Sequence, residues 1–212
     1  LLKDEALILK SDNPFKGNID IDKLVEAIET EGADKIAFIR MEASTNLIGG
    51  QPFSIRNMMD VRQVADKYGI MLVLDASLLG ENAYLVKQRE DEWKENTMAD
   101  IIKMMTGLAD IVYFSARKLT SSRGGGICTN RKDYYKQMEP LITLFEGFLT
   151  YGGISIREIE AMAVGIYETI DETMISQSVD FIKYCVESAV KAGIPMVTPP
   201  GVLGAHVNAG EF

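Results

Sequence analysis

Asn46, Asp75, Ser115 and Lys118 each come at or just after a short apolar run, and together their types could work on a carbonyl-bearing cofactor. The runs are "KIAFIRME" (35–42), "IMLVLDA" (70–76) and "DIVYFS" (110–115). In open parallel sheets, ligands sit beyond the carboxyl ends of the strands. An Asn, an Asp and a Lys gathered at such an edge suit pyridoxal phosphate. The Lys118 amine could condense with the cofactor aldehyde and later act as a base. The Asp75 carboxylate could face the pyridine nitrogen and keep it protonated, so that the ring accepts electrons. Asn46 could donate to the ring oxygen, and Ser115 to the phosphate. Each residue also has a plainer role. Asp75 could cap a helix or shape a turn, Lys118 beside Arg117 could sit in a solvated loop, and Asn46 before "LIGG" could form a turn. Types and order alone leave both readings open.

The elements that must position these residues alternate between strand and helix. "DIDKLVEAIE" (20–29) has an Asp cap and helical spacing, and "SIRNMMDVRQVADKYG" (54–69) runs from a Ser cap to a Gly stop. The 70–76 run is a continuous apolar stretch, as central parallel strands are. "MADIIKMMTGLA" (98–109) is a further helix, and "GGICTN" (125–130) follows 110–115 as the next strand. This is an α/β doubly wound layout. From Lys132 to Lys191 the chain turns mostly helical, with a break at "EGFLTYGG" (146–153). The stretch 156–193 is too long for one ordinary helix in a compact layer. "IPMVTPPGVLGAHVNAGEF" (194–212) reads as the first strands of a second domain. The expected division is therefore 1–171 for the large domain, 172–193 for a linking helix, and 194–212 for the start of a truncated small domain.

Composition narrows the class. The chain has 212 residues, 47% hydrophobic and 25% charged, with a net charge of -9. That is globular composition, and an acidic surface has no general pull on nucleic-acid phosphates or anionic lipid. No apolar run approaches a bilayer span, and no signal-peptide pattern is present, so a cytoplasmic location is expected. Cys128 and Cys185 lack metal-ligand spacing and sit in apolar stretches. They are expected to be reduced core thiols. His206, the single histidine, reads as a hydrogen-bonded strand residue rather than a catalyst.

Four segments in order, "STNLIGGQPFSIRNM" (44–58), "LDASLLGENAYLVKQRE" (74–90), "FSARKLTSSRGGGICTN" (114–130) and "LFEGFLTYGGISIREIEAMAVG" (144–165), together with "FKGNIDIDKL" (15–24), resemble the aromatic amino-acid β-eliminating lyases, the tryptophanase and tyrosine phenol-lyase family. The resemblance implies the aspartate-aminotransferase fold (fold type I), a mostly parallel sheet with helices on both faces. It implies pyridoxal phosphate as cofactor, with Lys118 as the attachment lysine, Asp75 at the pyridinium, Asn46 at the ring oxygen, Ser115 on the phosphate and Arg117 as a second basic group. It further implies potassium or another monovalent cation, touched by the Arg123 backbone carbonyl, no metal held by side chains, and a homotetramer with "EGFLTYGG" near the subunit interface. The match is to the central part of the family's chains. The N-terminal region with a ring-stacking aromatic and a catalytic tyrosine, and the C-terminal domain with an arginine for the substrate carboxylate, lie outside it. Two positions depart from the family: Leu78 stands where Arg is usual, and Leu119 where Asp is usual.

The leading expectation is a lyase that cleaves an aromatic amino acid to the aromatic product, pyruvate and ammonia, with tryptophan favoured over tyrosine from the wording of "EGFLTYGG". A degenerate or truncated non-catalytic homologue is the second expectation, and a threonine-aldolase-like lyase the third. Neither nucleic acid nor membrane is an expected partner.

Overall fold

The computed structural model describes residues 1–148 and 153–211. Asp20 opens the first helix by accepting the Lys23 N–H at 3.1 Å, and α1 (Ile21–Glu31) buries Leu24 and Ile28. β1 (Phe38–Glu42) turns Ile39 and Met41 inward. The Ser54 hydroxyl caps α2 (Ile55–Tyr68) at the Asn57 N–H, and Gly69 ends it at φ 66°, the left-handed conformation glycine takes without strain. β2 (Met71–Asp75), α3 (Leu79–Arg89), α4 (Met98–Gly107) and β3 (Ile111–Ser115) follow. A single helical turn, α5 (Ala116–Leu119), leads to β4 (Gly125–Cys128), and then come α6 (Lys132–Phe145), α7 (Ile156–Glu168) and α8 (Glu172–Lys191).

The sheet order is β1-β2-β3-β4, with the first three strands parallel and β4 antiparallel to β3. Gly125 therefore starts β4 opposite Ser115, at the edge where the other three strands end. Ile39, Met41, Leu72 and Leu74 face a core closed by the apolar stripes of α1 to α4. Each such side chain contributes about 1.5–3 kcal/mol when fully buried. The opposite sheet face carries Arg40, Asp75 and Tyr113, since the register pairs Arg40 with Val73 and Asp75 with Tyr113.

Three buried polar residues hold the loops around this edge. Asn82 accepts the Ser44 and Phe53 N–H groups at 3.0 and 3.2 Å and donates to the Phe53 carbonyl at 3.0 Å. Ser44 sits at φ 58°, unusual for a residue with a side chain, so this clamp fixes a turn that needs holding. Gln51 donates to the Pro199 carbonyl at 2.8 Å. Lys16, only 1% exposed, donates to the carbonyls of Ile8 at 2.7 Å and Thr198 at 3.0 Å. Gly201 lies so close to this turn that a Cβ there would meet the Gly49 oxygen at 1.9 Å.

As its length led one to expect, the stretch 156–193 is not one helix but two, broken where the Asp171 carboxylate accepts the Thr173 and Met174 N–H groups and starts α8. Other expectations change. Residues 194–211 form isolated bridges, Lys10 with Thr198 and Met196 with Val207, rather than strands. Pro195, Pro199 and Pro200 have no N–H to give a ladder. Cys128 is exposed on β4 and Cys185 partly buried, so neither is a core thiol, and both are free. His206 is hydrogen-bonded, Nδ1 lying 3.1 Å from the Gly204 carbonyl. In "EGFLTYGG", Leu149 to Gly152 lie outside the described residues.

Candidate active site

Asp75 ends β2 with both carboxylate oxygens engaged. Oδ1 accepts the Ser77 N–H at 3.1 Å and the Ser77 hydroxyl at 2.7 Å, a turn that Asp favours because its side chain bonds the backbone two residues on. Oδ2 accepts the Tyr113 hydroxyl at 2.9 Å. Burial first, and then the Asp75 carboxylate, push the Tyr113 phenol above its ordinary range, so it stays a donor. Arg40 reaches the Tyr113 oxygen at 3.4 Å and lies 3.7 Å from the Glu42 carboxylate. Glu42 in turn accepts the Asn46 N–H at 3.2 Å. On the other side, the Ser77 hydroxyl accepts the Ser115 N–H at 3.1 Å. One polar chain thus runs from Asn46 through Glu42, Arg40, Tyr113, Asp75 and Ser77 to Ser115, crossing three strand ends.

Lys118 and Arg117 stand on α5, directly after Ser115, and both are exposed. They border a cleft of about 650 Å³ whose wall includes Leu78, Glu81, Phe181 and Leu203. Burial pushes the Glu81 carboxyl above the usual carboxylate range. Leu78 is 4% exposed and packs with Leu85, Val179 and Val202. It precedes α3 without a side-chain cap, as a leucine must. An apolar cluster therefore occupies the position where the resemblance led one to expect a cation. The Arg123 N–H is taken by Glu158 at 3.0 Å, and among the described residues its carbonyl meets only the Ser122 hydroxyl, at 3.4 Å.

The strand ends bring Asn46, Asp75 and Ser115 into one network, with Lys118 one helical turn beyond. Their free valences suit pyridoxal phosphate. A carboxylate has about four acceptor positions; Asp75 has three filled, leaving one on Oδ2 for a ring N–H. Among the described residues nothing takes up the Lys118 amine, the Ser115 hydroxyl or the Asn46 carboxamide, which match an aldehyde, a phosphate and a ring oxygen. No group of three His, Cys, Asp or Glu side chains suited to a metal occurs among the described residues.

Sequence reasoning missed Arg40, Ser77, Tyr113 and Glu81. A cation breaking the apolar run 35–42, and the two-residue spacing of Tyr113 and Ser115, were the available signals for two of them.

Comparison with known proteins places these observations in context. The Beta-eliminating lyase family model matches residues 3–210. A tyrosine phenol-lyase of Pasteurella multocida is 41% identical over 213 residues, covering 100% of this chain and 46% of that protein. The tyrosine phenol-lyase of Symbiobacterium sp. is 37% identical over 99% of this chain and 46% of its own length. The chain thus spans about half the length of the curated relatives it matches. Among solved structures, a protein of Exiguobacterium put forward as an aromatic amino acid beta-eliminating lyase/threonine aldolase superposes with a TM-score of 0.60 at 21% identity, covering 82% of this chain and 45% of its own. One of Listeria monocytogenes put forward as an L-allo-threonine aldolase gives 0.58 at 20%, covering 78% and 42%. At such identities the likeness shows the α/β fold.

Proposed function

The chain belongs to the beta-eliminating lyase family, and on that premise we propose that it serves a pyridoxal-phosphate-dependent carbon–carbon lyase acting on tyrosine. Tyrosine and water would give phenol, pyruvate and ammonia. The earlier lean to tryptophan is corrected: it rested on a segment that lies partly outside the described residues, while relatives matching the whole chain carry the name tyrosine phenol-lyase. The observation that carries the proposal is the Asp75 carboxylate, held by Ser77 and Tyr113 with one acceptor position open, at the sheet edge where Lys118 follows β3 by one helical turn.

When bound, pyridoxal phosphate supplies an electron sink for the substrate's α-carbon. The chain's own residues would contribute as follows. The Lys118 amine would hold the cofactor aldehyde and, when free, would serve as the base for the α-proton. Asp75 Oδ2 would accept the ring N–H and keep that proton in place. Asn46 would donate to the ring oxygen and Ser115 to the phosphate, while Arg117 would add positive charge beside the anion. Leu78, Phe181 and Leu203 give one side of the cleft an apolar wall.

Potassium at the Arg123 carbonyl, a homo-oligomer, a cytoplasmic location and the division at 1–171, 172–193 and 194–212 complete the proposal. Among the described residues no helix is long and apolar enough to cross a membrane. A non-catalytic role is the second reading, favoured by the burial of Leu78 among apolar side chains.

The test is to add pyridoxal phosphate, reduce with borohydride and map the adduct by mass, then assay tyrosine, tryptophan and threonine. A single adduct on Lys118 with phenol release from tyrosine is expected. An adduct without turnover on any substrate selects the non-catalytic reading. Scattered labelling of surface lysines would overturn the cofactor assignment.

A further inference from the structure

A carboxylate that must hold a ring proton needs its plane fixed, and Asp75 is fixed from two directions. Ser77 grips Oδ1 twice from the turn that follows β2. Tyr113 grips Oδ2 from the neighbouring strand, at the residue paired with Asp75 in the sheet register. Arg40, on the far strand, steadies the phenol oxygen at 3.4 Å. With Oδ1 fully used and one position of Oδ2 taken, a ring N–H has a single place to go.

We infer that Tyr113, steadied by Arg40, is a positioning residue that orients Asp75 toward the nitrogen of the bound cofactor. The inference rests on the role proposed for Asp75. Tyr113 donates to Oδ2 on the side facing β3, so the open acceptor position is directed away from β3. Without the phenol hydroxyl the carboxylate can turn about its Cβ–Cγ bond, restrained by Ser77 alone. The hydrogen bond to the ring is then made only part of the time. Arg40 acts at one remove, through a longer contact, so its removal is felt less.

The test compares affinities for two probes: pyridoxal phosphate, and its analogue with C–H in place of the ring nitrogen. Both have the same aldehyde, ring oxygen and phosphate, so a general disturbance of the site weakens both alike. Tyr113→Phe keeps the ring and is expected to lower the preference for pyridoxal phosphate over the analogue by about tenfold, the size of one hydrogen bond to a charged group. Arg40→Met is expected to lower it in the same direction but less. An unchanged or increased preference in Tyr113→Phe overturns the inference. Asp75→Asn, measured alongside, separates the two levels. If it leaves the preference unchanged, the role of Asp75 itself fails. If it abolishes the preference while Tyr113→Phe does not, only the positioning role fails. Absence of saturable binding by the wild-type chain overturns the cofactor assignment and this inference with it.

Discussion

Replacing Lys16 with Met tests how a buried cation is tolerated without a counter-ion among the described residues. The Lys16 side chain is 1% exposed and its amine bonds two carbonyls, those of Ile8 and Thr198. Methionine keeps much of the stem volume and removes the charge. Two hydrogen bonds from a charged donor have a gross value of roughly 3–6 kcal/mol. Against this, the variant escapes the desolvation penalty of the ion, which is several kcal/mol per buried charge. The Thr198 carbonyl keeps the Ser11 N–H at 3.3 Å, so the Ile8 oxygen is the main orphan, at a cost of about 1–3 kcal/mol. The expected net loss is about 2 kcal/mol at neutral pH, read from urea midpoints. The pH dependence has a definite sign. Burial lowers the Lys16 pKa below its ordinary 10.5. Between the lowered value and 10.5 the unfolded chain binds more protons than the folded one, so wild-type stability rises with pH across that window. The neutral amine still has two N–H bonds for two carbonyls. The gap between wild type and Lys16→Met should therefore widen on going alkaline. A Met variant as stable as wild type at neutral pH, or a gap that narrows with pH, would refute the reasoning.

Asn82→Ala removes the clamp on the Asn46 turn. It deletes three buried hydrogen bonds, and a loss of about 3 kcal/mol is expected, with faster hydrogen exchange at the Ser44 amide; unchanged exchange there would mean the turn holds itself. For Glu81, burial raises the folded-state pKa above 4.5. The folded state therefore binds more protons, and wild-type stability declines as pH rises from the unfolded value to the folded one. Glu81→Gln should gain on wild type between acid and neutral pH, and urea midpoints at the two conditions that move together would show that Glu81 ionises without penalty.

Much of the fold was legible because local chemistry and burial agreed. Ser54 and Gly69 mark both ends of α2, and the unbroken 70–76 run gave β2. Pairing direction was not legible: nothing in "GGIC" says that β4 runs against β3, because direction depends on how α5 turns the chain. The strand reading of 194–212 failed because proline spacing overrides β-propensity. At the site, Asn46, Asp75 and Ser115 were visible as polar residues ending apolar runs. Tyr113 was hidden inside such a run. Its role exists only through the register that sets it beside Asp75, and register joins residues from separate strands.

The reversed strand also bears on how the site comes into being. β3 and β4 are joined by a short connection, whereas β1 with β2, and β2 with β3, pair only after a helix-bearing crossover has closed. Loop-closure entropy must be met before distant strands gain contact, so the hairpin has the kinetic advantage. The local setting of Ser115 and Lys118 is therefore expected to form first, and the Asp75 carboxylate to dock beside Tyr113 afterwards. On the roles proposed for Lys118 and Asp75, an aldehyde meeting a half-folded chain would find the amine but not the carboxylate, and recognition of the whole cofactor would be a late product of folding.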